Sequence, residues 1–140
     1  MKATIRCIVH PTEDIQKVET AIENILGSIV ISRTRFEEFT EIYSPEINRA
    51  SLTILKQLVH DKRIIDAARV RLLRNFDEFE TFMFFDKQAA YVGKVRLLDN
   101  ADENPPLGYI EIRFEFVSES QFDEFLDWFS PRTKDGRIVT

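Results

Sequence analysis

Residues 109–117, YIEIRFEFV, alternate apolar and polar side chains along nearly their whole length. Successive strand residues point to opposite faces. Ile110, Ile112, Phe114 and Phe116 therefore line one face, and Glu111, Arg113 and Glu115 the other. A strand with one dry and one wet face belongs to an antiparallel sheet covered on a single side. Ala3–Val9 (ATIRCIV) repeats the pattern around Ile5, Cys7 and Val9.

Helices must supply the covering layer. Pro11 stops the first strand, Thr12 is placed to cap a helix, and Glu13 and Asp14 follow where the helix dipole favours negative charge. Ile15, Val18, Ile22, Ile25 and Leu26 recur at helical spacing before Gly27, which predicts a helix over Glu13–Leu26. Ser44-Pro45 reads as a second helix start, with Ile47, Ser51, Ile54, Leu55, Leu58 and Val59 in period up to His60. A third helix is predicted over Arg63–Asn75, continuous with the second or broken near Asp61-Lys62. Ser118 with Gln121 forms a capping box for a last helix, whose Phe122, Phe125, Leu126 and Phe129 face inward and which Pro131 ends.

The remaining strands are predicted at Ser28–Arg33, Phe36–Ile42 (a hairpin partner or an irregular edge), Phe79–Asp86 and, after a turn at Asp86-Lys87-Gln88, Ala89–Leu98. The segregated order implies an α+β two-layer sandwich, with helices packed on one face of a mainly antiparallel sheet. The chain of 140 residues suits a single domain able to bury its own core without disulfide or metal. Asn100–Pro106 is a polar loop expected to be mobile, as is the tail, 132–140.

Several chemistries lack support. There is one cysteine, Cys7, placed mid-strand as a small core residue, so no disulfide or thiolate cluster is expected. His10 and His60 lie far apart without metal-ligand spacing and read as surface residues. No Walker loop, GxGxxG sequence or GxSxG elbow occurs. The expectation is a non-enzyme with no cofactor and no metal. No run approaches the ~20 apolar residues of a membrane helix, and Met1-Lys2-Ala3 leads straight into a strand pattern. A cytoplasmic protein with no membrane partner is expected.

Net charge is −5, which disfavours indiscriminate binding to phosphate backbones. Its distribution is uneven. Residues 62–96 carry 8 basic and 5 acidic side chains, and residues 62–74 carry 5 against 1. On a wheel of about 100° per residue, Ile64, Ile65, Ala68 and Leu72 face the core. Arg63, Ala67, Val70 and Arg74 form the far stripe, and Arg71 flanks it. Asp66 and Arg69, three apart, are placed to pair. Lys94 and Arg96 project together from the predicted Ala89–Leu98 strand. An arginine edge can meet phosphates bidentately, although arginine is also simply a good helix former near a C-terminus. Phe82 and Phe84 share a face of their strand. They are core if that face is covered, and stacking platforms for bases if it is not.

RIIDAARVRLLRN, FFDKQAAYVGKVRLLD, ENPPLGYIEI and DWFSPRTKDG occur in that order, preceded by HPTEDIQKVETAIENIL. This series resembles a family of small archaeal proteins described as predicted RNA-binding, exosome-associated proteins. The resemblance spans nearly the whole chain and implies a ribosomal-protein-like α+β fold. It also implies RNA, and an RNA-processing complex, as partners. The matching polar positions are Arg63, Asp66, Arg69, Lys87, Gln88, Lys94 and the Arg132-Thr133 pair. The expected function is a non-enzymatic RNA-binding accessory protein using Arg63, Arg71, Arg74, Lys87, Lys94 and Arg96. The alternative is a protein–protein interaction module, a homodimer paired through the edge at Phe36–Ile42.

Overall fold

A computed structural model describes residues 1–99, 108–134 and 137–138. In chain order the elements are β1 (Lys2–Val9), α1 (Ile15–Leu26), β2 (Ser32–Arg35), β3 (Thr40–Ser44), α2 (Arg49–Asp61) and α3 (Ile65–Arg74). There follow β4 (Glu80–Asp86), α4 (Lys87–Tyr91), β5 (Leu97–Leu98), β6 (Tyr109–Glu115), α5 (Glu119–Phe129), β7 (Thr133–Lys134) and β8 (Arg137–Ile138). Six strands form one sheet in the order β2-β3-β1-β6-β4-β5, antiparallel at every pairing. The fold is the expected α+β arrangement of helices on one face of an antiparallel sheet.

The alternating strands fix which face is dry. Ala3, Ile5, Cys7 and Val9 of β1 and Ile110, Ile112 and Phe114 of β6 are buried, joined by Met83 and Phe85 of β4. They share one core with Val18, Ile22, Ile25 and Leu26 of α1, Leu52, Leu55 and Val59 of α2, Ala68 and Leu72 of α3, and Phe122, Phe125, Leu126 and Phe129 of α5. Burial at this scale is what holds a chain of this size together, at roughly 25 cal/mol per Å² of apolar surface.

The opposite face is not bare. Phe84 and Leu98 pair across β4 and β5 and are buried outside the main core. The Phe84 ring lies 5.3 Å from Phe82 and meets Tyr109 edge-on at 4.8 Å. The Arg113 guanidinium sits 5.0 Å over Phe82 and pairs with Glu111 and Glu80. Arg6 pairs with Glu41 beside it. The Phe84 ring is thus buried and is no stacking platform, while Phe82 stays partly exposed beneath the Arg113 guanidinium.

Local chemistry moved several boundaries. The Asp14 carboxylate, rather than Thr12, accepts from Gln16 N–H and starts α1. Ser44 ends β3 instead of opening a helix, because its buried hydroxyl donates to the Val30 carbonyl at 2.7 Å. Asn48 takes over as the cap of α2. The β2–β3 hairpin lies about four residues later than expected, and Phe36 N–H to Phe39 carbonyl closes its turn over stacked rings. β3 is therefore flanked on both sides, and the free edge belongs to β2, whose four residues are all exposed.

The largest departure is at 87–98. Asp86 accepts from Gln88 N–H and caps a short helix where a strand was expected. Gly93, at φ +78°, turns the chain out of that helix, and only Leu97–Leu98 remain as strand. Asn24 of α1 holds the new helix by donating to the carbonyls of Ala90 and Tyr91, both at 3.0 Å. The expected Asp66–Arg69 pair is replaced by long-range partners, Thr133 for Asp66 and Asp127 for Arg69. His60, expected at the surface, is half-buried with Nε2 2.9 Å from the Phe129 carbonyl. The Ser118–Gln121 cap forms as expected. The Asn100–Pro106 loop lies outside the described residues. In the tail, β7 and β8 pair as a small hairpin.

Gly27 closes α1 at φ +73°, ψ −164°, a region essentially reserved for glycine. A Cβ there would also come within 2.7 Å of the Ile54 side chain. Gly27→Ala should lower unfolding free energy by about 1–3 kcal/mol, read as an earlier urea midpoint with an unchanged slope.

Candidate nucleic-acid interface

Lys62, at the end of α2, donates from Nζ to the Val95 carbonyl at 2.8 Å. Arg71 of α3 donates to the Leu98 carbonyl at 3.3 Å and pairs with Asp99 at 2.7 Å, while its other nitrogen returns to Ala67. Arg74 donates to the Asp99 carbonyl at 2.9 Å. These bonds lace the α2–α3 corner and the C-terminal half of α3 onto the segment 95–99. They bring the segment that follows Lys94 beside the helix that carries Arg71 and Arg74. Lys94 is exposed in the turn before that segment. Arg96 is exposed beyond half of its side chain and is tethered to Asp86 at 3.3 Å.

Arg63 is not part of α3. It occupies the link from α2 in a left-handed conformation, φ +62°, and is exposed. With His60, Ile65, Asp66 and Thr133 it lines a crevice of about 30 Å³. There the Thr133 hydroxyl donates to the Asp66 carboxylate, which docks the β7–β8 hairpin beside Arg63. Lys134 and Arg137 on that hairpin, and Arg132 before it, are exposed. The sequence reading treated this basic tail as frayed. The overlooked signal is Asp135-Gly136, the dipeptide that favours a tight hairpin.

Lys87 goes elsewhere. Its side chain is 3% exposed. Nζ donates to the Ile8 carbonyl at 2.6 Å and to both Glu13 oxygens at 3.1 and 3.2 Å. Gly108, at φ +89°, lies against this side chain with room for ordinary contact, 3.5 Å from its Cβ position to Nζ. A phosphate reaching Lys87 would have to break these bonds, so it is a fastener rather than a contact residue. Arg71, at 16% side-chain exposure with its three partners, is also largely committed. Arg63, Lys94 and Arg96 present their charges outward, with Arg74 exposed beside them.

Among the described residues no group of three or more His, Cys, Asp or Glu side chains is placed to hold a metal. Burial pushes the Cys7 thiol up to about 11, with Glu13 adding and Lys87 opposing. A thiol so held is protonated at neutral pH and inert as a nucleophile.

A family model described as RNA binding matches residues 2–116. UPF0201 protein PH1010 of Pyrococcus horikoshii is 32% identical over 94% of this chain and 91% of its own length. The chain belongs to this family. A UPF0200/UPF0201 protein of Archaeoglobus fulgidus is 35% identical over 96% of the chain, which spans only 39% of that protein. The crystal structure of a UPF0201 protein from Methanococcus jannaschii superposes over the whole of both chains with a TM-score of 0.82 at 29% identity. A DUF54 protein from Methanothermobacter thermautotrophicus shares the fold, with a TM-score of 0.70 at 18% identity. The family match contains Arg63, Arg71, Arg74, Lys87, Lys94 and Arg96 and stops before α5 and the basic hairpin. No helix among the described residues is long and apolar enough to cross a membrane.

Two outcomes follow from the buried groups. Lys87→Met strands the Glu13 carboxylate and should cost about 3–5 kcal/mol; adding Glu13→Gln should recover part of it in urea titration. Cys7 is stabilising while protonated, because its folded pKa exceeds the ordinary 9.0. That contribution is complete below about pH 9 and is lost as pH rises through about 11. Wild-type protein should therefore lose more stability than Cys7→Ala between pH 8 and pH 11.

Proposed function

We propose that the chain is a non-enzymatic RNA-binding accessory protein that carries single-stranded RNA along the edge formed by the α2–α3 corner, the turn before β5 and the C-terminal hairpin. One observation carries the reading. Lys62, next to Arg63, bonds the Val95 carbonyl between Lys94 and Arg96, which brings these basic positions near one another in a molecule whose net charge is −5. The family description, RNA binding, agrees with it.

The physical logic is a division of labour. A negative body repels a polyanion everywhere except at its cationic edge, so that edge sets both the place and the direction of approach. Arg63 and Arg96 offer planar forks for phosphate oxygens, and Lys94 offers a mobile point charge. Arg132, Lys134 and Arg137 extend the edge past Arg63. Arg71 and Arg74 keep the edge in shape, with Arg74 exposed enough to add a contact. Action alongside RNA-processing machinery is the part of the proposal that rests on family resemblance.

Filter binding with a short single-stranded RNA between 50 and 200 mM salt tests it. Log affinity should fall against log salt with a slope of about −0.7 per phosphate contact. Replacing Arg63, Lys94 and Arg96 together by alanine should flatten that slope by about 2 while the urea midpoint stays put. Absence of binding at low salt, or a slope untouched by the triple substitution, would overturn the reading.

A further inference from the structure

The first two turns of α1 and the short helix α4 enclose an open cleft of about 310 Å³ that the charge argument does not use. We propose that this cleft holds a single nucleobase, stacked on Tyr91, either from a bound RNA strand or from a free nucleotide. The RNA-strand arm rests on the function proposed above; the free-nucleotide arm does not.

The cleft's composition selects the ligand. Its walls are mainly apolar, with Val18 and Ala21 on the α1 side and the Tyr91 ring, 43% exposed, on the α4 side. At its floor the Lys87 ammonium and the Glu13 carboxylate lie side by side, 3.1 Å apart. Thr12 adds a hydroxyl at the rim. A simple anion gains little, because Glu13 already neutralises Lys87 and Asp14 stands close by as the α1 cap. A wholly apolar ligand would leave the Thr12 hydroxyl and the remaining acceptor capacity of Glu13 unmatched. Lys87 has no N–H to spare, its ammonium being spent on Ile8 and Glu13, so a planar heterocycle with hydrogen-bond donors on one edge suits both the apolar walls and the remaining acceptor capacity of Glu13. The volume sits at the low end of ligand pockets, which suits one nucleotide unit and not two.

The surroundings fit the same ligand. Lys17 is exposed, with Nζ 5.9 Å from the Tyr91 ring centre. It can swing aside to open the ring face and then meet a phosphate. Lys94 follows Tyr91 by three residues, at most ~11 Å of chain, and its neighbour Val95 receives the Lys62 ammonium. A base seated on Tyr91 thus leaves its phosphate near the start of the cationic edge. Asn24 clamps the C-terminal end of α4 to α1, which keeps the two walls at a fixed spacing.

The test uses the full chain with two probes: a short single-stranded RNA containing 2-aminopurine, and the four nucleoside monophosphates. Wild type and Tyr91→Phe should quench 2-aminopurine on binding. Tyr91→Ala, with its urea midpoint checked, should lose about 5- to 150-fold in affinity with no change in salt slope, since no charge is removed. The Arg63/Lys94/Arg96 triple substitution should do the reverse, flattening the slope while leaving the quench at saturation. RNA binding that is indifferent to Tyr91→Ala overturns the cleft and leaves the cationic edge standing. Nucleotide binding that depends on Tyr91, with no RNA binding, upholds the cleft with a free nucleotide as its ligand and overturns the proposed function. No binding of either probe overturns both.

Discussion

One ammonium group ties together parts of the fold that are distant in sequence. Lys87 Nζ reaches the carbonyl of Ile8 at the end of β1 and the carboxylate of Glu13 just before α1, while its own backbone starts α4 and donates to the Gly108 carbonyl ahead of β6. Glu13 in turn accepts from His10 N–H, closing the corner between β1 and α1. A charge taken this far out of water is tolerable only when paired and fully hydrogen-bonded. The layers of helix and sheet are therefore registered to each other at this point, and the placement of α4, with everything it leads to, follows from it.

The basic residues of 62–96 separate into two kinds by what they touch. Arg69, Arg71 and Lys87 spend their hydrogens on carbonyls and carboxylates of other elements. Arg63, Lys94 and Arg96 keep their heads in solvent, even where Arg96 leans on Asp86. The first kind shapes an edge that the second kind can use. The same division appears on the uncovered sheet face, where Arg6 and Arg113 are matched by Glu41, Glu80 and Glu111 and contribute little net field.

Periodicity made the core legible. The alternation of β1 and β6, the helical stripe of α1 and the inward residues Ile65, Ala68 and Leu72 of α3 were all readable, because burial acts on every turn of a regular element. What escaped were places where one side chain overrides a propensity. Ser44 looked like a helix cap, and its buried hydroxyl instead donates to the Val30 carbonyl. The apolar run after Asp86 looked like a strand, yet a capping carboxylate and Gly93 make it a helical turn. Lys87 looked like a surface cation at a corner, and nothing in its local sequence announces Ile8 and Glu13, more than seventy positions away, as its partners. The candidate edge was legible as a local excess of charge. Its geometry was not, since only the fold brings Lys62 to Val95 and Thr133 to Asp66.

The guanidiniums of Arg71 and Arg74 have a consequence for self-assembly. A short outer strand normally offers its free carbonyls as a template on which another chain can add. Here the Asp99 carbonyl, just past β5, is already occupied by Arg74, and Arg71 pairs with the Asp99 carboxylate beside it. Growth of the sheet by a further strand would have to displace two arginines. The end of the sheet that lies beside α3 is thereby an end at which extension by a further strand is hindered.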